Sequence, residues 1–93
     1  MSLPRVAIGK TIVRVRTPMN PAFNVDAKRA IGYPDMRWDK QYNCWKIAIA
    51  RLDDVQRVLF RHYDAIEIRE KGKPDRVIDS TGREVRQETL FAD

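Results

Sequence analysis

Residues 36–49 read MRWDKQYNCWKIAI and predict a β-hairpin that holds both tryptophans of the chain. Two short strands flank a polar loop of four residues. With Asp39 opposite Cys44, Trp38 faces Trp45, and the large apolar side chains share one face, as a half-buried antiparallel pair requires. A shift of one residue would turn half of these side chains into water, so the sequence favours this register.

The other face of this hairpin places Arg37 directly opposite Lys46. Like charges at facing positions repel each other unless an anion or a carboxylate neutralises them. The pair alone leaves two interpretations open. It belongs to an anion-binding surface, or both long side chains simply extend into solvent.

The composition is that of one small globular domain. Of 93 residues, 43% are hydrophobic and 33% are charged, which argues against disorder throughout the chain. We find no signal peptide and no apolar run near the roughly 20 residues of a membrane-spanning helix. One cysteine and one histidine allow neither an internal disulfide nor a structural zinc site. We therefore expect no metal or other cofactor, no membrane association, and an intracellular protein, cytoplasmic or nucleoid-associated, that is not secreted.

The net charge of +5 is unevenly distributed along the chain. Residues 1–63 hold 12 Lys/Arg against 5 Asp/Glu, whereas residues 64–93 hold 6 against 8. The first segment is therefore strongly basic and the second slightly acidic. A concentrated positive field suits a polyanionic partner, although it also serves solubility.

Residues 11–16 predict a strand by their alternation. Val13 and Val15 fall on one side, and Ile12, Arg14 and Arg16 on the other. The preceding Gly-Lys dipeptide is compatible with either a tight hairpin turn or a bulge.

Two amphipathic helices are predicted by apolar residues at helical spacing. Asn20 is the expected cap of the first helix, which has proline at its first position and ends near Ile31. The second helix is expected to begin with Asp53 or Asp54 as its cap and to end near Tyr63.

The last third of the chain predicts strands without a further helix. Residues 65–69 read as a strand with Ile66 and Ile68 inward. Residues 76–86 predict a small hairpin, which either extends the sheet edge or meets a partner. Residues 87–93 are expected to be a loose tail.

The predicted fold is α+β, with the order β-α-β-β-α-β followed by a C-terminal hairpin. A mostly antiparallel sheet of three to five strands would carry two helices on one face. We divide the chain into a domain at 1–70 and a hairpin and tail at 71–93. Alternation alone then assigns seven residues to the open face, five of them basic, which favours a phosphate-binding surface. They are Ile12, Arg14, Arg16, Arg37, Lys46, Glu67 and Arg69.

The segments VRVRTPMNPAF, AKRAI and MRWDKQYNCWKIAI, followed by a helix, resemble the HARP (HepA-related protein) domain found beside annealing-helicase motors. That family shows a strand, a helix opening near an Asn, and an Arg-aromatic-Asp turn with a Trp six residues after the Asp. The matching positions are Asn20, Arg37, Trp38, Asp39 and Trp45, although the family usually has Tyr where this chain has Trp38. The resemblance covers roughly residues 11–69. It implies binding to single-stranded or branched DNA in support of a remodelling enzyme, here without any GxxxxGK[ST] phosphate loop.

We therefore predict a nucleic-acid-binding module whose partners are single-stranded or forked DNA, with RNA as a second ligand and a helicase or other nucleic-acid enzyme as a protein partner. The expected phosphate contacts are Arg14, Arg16, Arg37, Lys40 and Lys46, with Lys28, Arg29 and Arg51 in second rank. Tyr42 either stacks on a base or is an exposed loop residue. Trp45 is predicted in the core. Trp38 is predicted there too, with contact between its ring edge and a base as the alternative. Asp39 is expected to fix the turn through its side chain.

Catalysis has no support in the sequence, because neither an acid–base pair nor a nucleophile arrangement has interpretable spacing. The alternative function is a protein-interaction adaptor, oligomeric or an inhibitor of a nucleic-acid enzyme. It would dock through the acidic segment 64–93 by strand addition at the edge of the C-terminal hairpin.

Overall fold

The computed structural model describes residues 3–85 and has an α+β fold, which confirms the predicted class. Two helices, α1 (Pro21–Ala30) and α2 (Leu52–His62), accompany a single sheet. Its strands are β1 (Arg5–Ile8), β2 (Ile12–Arg16), β3 (Met36–Asp39), β4 (Cys44–Ala48), β5 (Ala65–Glu70), β6 (Arg76–Asp79) and β7 (Glu84–Val85). The strand order is β3-β4-β2-β1-β5-β6-β7. Neighbouring strands are antiparallel except β1 and β5, which are parallel.

The sheet has seven strands, so the expected three to five was wrong. The segment before residue 11 forms β1, and a turn after Ile8 joins it to β2, with the Gly9 N–H donating to the Ile12 carbonyl at 2.9 Å. At the other end, β6 pairs with β5 and β7 pairs with β6, so the C-terminal hairpin extends the sheet edge. The tail predicted at 87–93 lies outside the described residues.

The register of the tryptophan hairpin is confirmed. Asp39 faces Cys44 and Trp38 faces Trp45, and the pairing continues along both strands as predicted. Asn43 closes the loop at φ 50°, in the left-handed region that asparagine tolerates better than most residues. A four-residue loop with this residue at its end therefore fixes which side chains face each other.

Helix α1 begins as predicted. The Asn20 side chain accepts a hydrogen bond from the Phe23 N–H at 3.1 Å, and Pro21 occupies the first helical position. The helix ends at Ala30, one residue before the predicted end, and Gly32 follows with φ 73°.

The predicted cap of α2 was wrong. A short 3₁₀ turn at Ile49–Arg51 leads directly into the helix at Leu52, so Asp53 and Asp54 lie in its first turn rather than at the cap. Ile49 and Leu52 both pack against the core, and this makes the chain turn immediately after β4. The two aspartates still lie where negative charge favours the helix dipole.

Both helices pack on one face of the sheet and on each other. The Phe23 ring of α1 lies edge-on to His62 and Tyr63, with centroids 6.1 and 6.2 Å away. Neither helix is long and apolar enough to span a bilayer. The buried cluster between the layers consists of Val6, Val13, Val15, Phe23, Ala27, Met36, Trp45, Ile47, Val55, Val58, Leu59, Ile66 and Ile68.

The two tryptophans have different environments. Trp45 is 8% exposed and belongs to the core as predicted, with its indole N–H donating to the Asn24 side chain at 3.3 Å. Trp38 is 50% exposed, so its predicted core position was wrong. It lies on β3, at the edge of the sheet that residues 3–85 form, and its ring meets Trp45 edge-on at 5.0 Å.

Candidate nucleic-acid interface

A row of basic residues crosses the open face of the sheet at right angles to its strands. Arg37 on β3 faces Lys46 on β4, and Lys46 faces Arg14 on β2. Arg14 faces Ala7 on β1, and Ala7 in turn faces Arg69 on β5. Neighbouring strands lie roughly 4.8 Å apart. Four of five adjacent strands therefore present a cation at the same level of the sheet.

An open pocket of about 120 Å³ lies on this face around the one uncharged position of the row. Four arginine side chains contribute to its wall, and no acidic side chain does among the residues that the structure describes. Its lining residues are Arg5, Ala7, Arg14, Arg16, Cys44 and Arg69. The four arginines therefore bring hydrogen-bond donors suited to an anion to the surroundings of this pocket.

Asp39 organises the end of the basic row nearest the β3–β4 loop. One carboxylate oxygen accepts hydrogen bonds from the backbone N–H groups of Gln41 and Tyr42, at 2.9 and 3.3 Å. The other accepts from Arg14 at 2.9 Å and lies 3.8 Å from the Lys46 ammonium. The prediction that Asp39 fixes the turn is confirmed. The contacts of its second oxygen with Arg14 and Lys46 reduce the repulsion between these two cations.

These contacts shift the pKa values of both Asp39 and Arg14. Partial burial alone would raise the pKa of Asp39, but hydrogen bonds from Arg14 and the loop backbone, with the charge of Lys46, outweigh it. The pKa of Asp39 is therefore below its ordinary value. The hydrogen bond to Asp39, followed by that to Cys44, raises the pKa of Arg14. Both groups stay charged at neutral pH.

The β3–β4 loop lies against the same arginines. Arg16 donates to the Tyr42 carbonyl at 2.7 Å, and the Arg14 guanidinium lies 5.0 Å from the centre of the Tyr42 ring. This is a cation–π distance. Tyr42 is 52% exposed, so much of the ring stays accessible beside the basic row. Lys40 is exposed on the same loop.

The remaining cations of the open face differ in their pairing. Glu67 lies 3.4 Å from Arg5 and 3.7 Å from Arg69, and Arg69 also pairs with Asp75 at 3.1 Å. Within residues 3–85, Arg16 and Arg37 form no ion pair with a carboxylate. These two carry the least neutralised charge of the face.

The three second-rank residues lie on the helical side of the sheet instead. The Lys28 ammonium lies 5.6 Å from the centre of the Trp45 ring, and Arg29 is exposed on α1. Arg51 donates to the Ala30 carbonyl at 2.8 Å and pairs with Asp54 at 3.0 Å. The structure does not bring them together with the open-face cations.

Sequence reasoning omitted four residues of the pocket from the predicted site, among them Cys44, which alternation places on the outward side of the hairpin. Arg69 was assigned to the open face but not to the site, and Arg5 was left out because β1 was not identified as a strand. Ala7 is uncharged and gave no signal. Alternation in residues 5–8 could have placed Arg5 and Ala7 on one face, but not beside β5.

Cys44 is on the open face yet only 3% exposed, and Arg14 donates to its sulfur at 3.8 Å. Among residues 3–85, no group of three or more His, Cys, Asp or Glu side chains could hold a metal ion. Comparison of the chain with protein-family models, curated proteins and solved structures gives no match.

Proposed function

We propose that this chain binds nucleic acid, in the first place single-stranded or branched DNA, through phosphate contacts from the open face of its sheet. The observation that carries the proposal is the register that aligns Arg37, Lys46, Arg14 and Arg69 across neighbouring strands. Facing like charges destabilise a sheet, and a bound polyanion would relieve that repulsion. Release of the counterions condensed on the nucleic acid would add to the affinity.

Two further features support the same ligand. Arg16 and Arg37 have no carboxylate partner among residues 3–85, so their charge is available to phosphates. Tyr42 offers an exposed ring beside the row, where an unpaired base could stack. The resemblance to the HARP domain points the same way, with the chain as a non-catalytic, intracellular module that supports a DNA-remodelling partner.

Contacts of this kind predict weak and salt-sensitive binding. Phosphate contacts position a nucleic acid without reading its sequence, so RNA is a second ligand to be tested beside DNA. Non-specific affinities of such surfaces are typically ~10⁻⁴ to 10⁻⁶ M at physiological salt. The proposal therefore concerns backbone recognition and single-stranded character, not base sequence.

Fluorescence anisotropy with labelled single-stranded, duplex and forked DNA, and with single-stranded RNA, at two salt concentrations tests this proposal. The double variant Arg16→Ala/Arg37→Ala removes two open-face charges without leaving a described carboxylate unpaired. Arg57→Ala/Arg61→Ala on α2 is the matched control with the same change in net charge. We expect the first variant to weaken binding at low salt and to lower the salt slope by about 0.7 per lost contact on single strands. The control should bind like the parent protein.

Two results would contradict the proposal. Equal losses in both double variants would mean that net charge alone determines binding. No binding by the parent protein at low salt would mean that the open face is only solvated surface. Such a result would favour the adaptor function, with docking by strand addition at β7.

A further inference from the structure

The pocket on the open face is built around a single small side chain. Ala7 on β1 lies directly between Arg14 on β2 and Arg69 on β5. Two residues earlier on the same face of β1, Arg5 lies beside Arg16. The alanine methyl leaves space in which four long cationic side chains meet, and a larger residue at position 7 would fill that space.

The size of the pocket fits a group of several heavy atoms. It measures about 120 Å³, whereas one water molecule needs roughly 10–15 Å³ of such space. Each guanidinium carries five N–H donors in a fixed plane, which matches the oxygen geometry of phosphate. A phosphate group therefore suits both the volume and the donors of this pocket.

The four arginines are held in place before any ligand binds. Glu67 lies within 3.7 Å of both Arg5 and Arg69. Arg14 is hydrogen-bonded to Asp39, and Arg16 to the Tyr42 carbonyl. Each contact uses only part of the donors of its guanidinium. Less side-chain freedom is then lost when an anion binds, which raises the affinity for it.

The surroundings of the pocket favour a phosphate at the end of a nucleic-acid strand over a phosphate in its interior. The β3–β4 loop borders it at Arg14 and Arg16, and the Arg69–Asp75 pair borders it on the opposite side. A terminal phosphate monoester has about −1.5 to −2 charges at pH 7 and three strong acceptor oxygens. An internal phosphodiester carries a single charge, and its chain would have to enter and leave between these borders.

We infer that this pocket binds the terminal phosphate monoester of a nucleic-acid strand, with the ring of Tyr42 beside it to stack on the terminal base. The inference rests on the proposed function, because it assigns one subsite within the same face. It makes the module a reader of phosphorylated strand ends, whereas the rest of the basic row binds backbone phosphates without regard to position.

The test compares single-stranded oligonucleotides of one sequence that carry a 5′-phosphate, a 3′-phosphate or only hydroxyl ends, by anisotropy at constant ionic strength. We expect at least one phosphorylated end to bind roughly tenfold more tightly than the hydroxyl form, as hydrogen bonds between charged groups allow. Ala7→Val fills the pocket without changing charge and should abolish the preference. Arg37→Ala lies on the row outside the pocket and should weaken all three ligands equally, with the preference retained.

Arg16→Ala, at an exposed position, gives a second pocket variant should Ala7→Val fail to fold, and it too should lose the preference. Hydroxyl and phosphorylated strands binding equally well would overturn the inference while the proposed function stands. No binding of any strand would overturn both. Inorganic phosphate and a nucleoside monophosphate serve as competitors. If either bound as tightly as the phosphorylated strand, the pocket would be a site for free phosphate compounds, and the assignment to strand ends would be wrong.

Discussion

Arg14 on β2 donates a hydrogen bond of 2.9 Å to Asp39 on β3, although β4 lies between the two strands. The same carboxylate accepts two backbone N–H groups of the β3–β4 loop. The guanidinium of Arg14 also lies over the Tyr42 ring, and Arg14 lines the pocket on the open face. One ion pair thus connects the conformation of the loop to the position of the central cation of the basic row.

Replacing Asp39 with Asn should destabilise the protein, because Arg14, Lys46 and Arg37 would face one another without a neutralising charge. We expect a lower unfolding midpoint by circular dichroism, together with tighter and more salt-dependent DNA binding. Asp64→Asn, at an exposed position before β5, makes the same change in charge and should leave the midpoint unchanged. Equal midpoints for the two variants would argue against this role of Asp39.

Acid should destabilise the protein through Asp39 and Asp79. The pKa of Asp79 is lowered mainly by the hydrogen bond from the Thr81 hydroxyl at 2.6 Å. The pKa of Asp39 is lowered by the hydrogen bonds from Arg14 and the loop backbone and by the charge of Lys46, which outweigh the effect of burial. A depressed folded-state pKa contributes stability above the unfolded value of roughly 3.9, and this contribution is lost as the pH falls through the lower folded value. Urea denaturation between pH 7 and pH 3 should show a steeper loss for the parent protein than for Asp39→Asn/Asp79→Asn. Parallel curves would contradict the prediction.

The turn between β1 and β2 should not accept a side chain at Gly9. A Cβ atom there would lie 2.8 Å from the Ile12 carbonyl oxygen, which accepts the Gly9 N–H bond that closes the turn. Gly9→Ala should therefore cost on the order of 1–3 kcal/mol of unfolding free energy. Lys10→Ala, at the next and exposed position, is the control and should change stability little. An unchanged stability in Gly9→Ala would show that the turn rearranges freely.

The N-cap of α1 should contribute measurably to stability. Asn20→Ala removes the acceptor for the Phe23 N–H and should cost about 1 kcal/mol in urea denaturation. Asn20→Asp keeps an oxygen acceptor and should retain most of that stability. If both substitutions cost the same, the hydrogen bond at the cap would not be the cause.

Base stacking on Tyr42 should be specific to single strands. Tyr42→Leu keeps the backbone carbonyl that Arg16 binds but removes the ring, and a stacked base contributes about 1–3 kcal/mol. We expect weaker single-strand binding and unchanged duplex binding by anisotropy. Tyr33→Leu removes an aromatic ring that is even more exposed and lies outside the site, and it is the control. Equal effects on single strands and duplex would exclude stacking.

The amino-acid sequence alone determined the hairpin register, the start of α1 and the face on which the central cations lie. The pairing of Asp39 with Cys44 follows from a short loop and from alternation, and the start of α1 follows from Asn20 and the proline after it. Alternation also assigned Arg14 and Lys46 to the face opposite the core. These features depend on residues close together in the chain, so a one-dimensional pattern is enough to predict them.

Only the tertiary structure decided which strands are neighbours. Alternation gives the face of a residue but not the strand beside it, because it is a pattern within one strand and carries no information on which distant strand pairs with it. The insertion of β1 between β2 and β5 placed Ala7 between Arg14 and Arg69 and so formed the pocket. The tertiary structure also decided the exposure of Trp38. Its sequence pattern is that of a core residue, but its position on an edge strand leaves it half exposed.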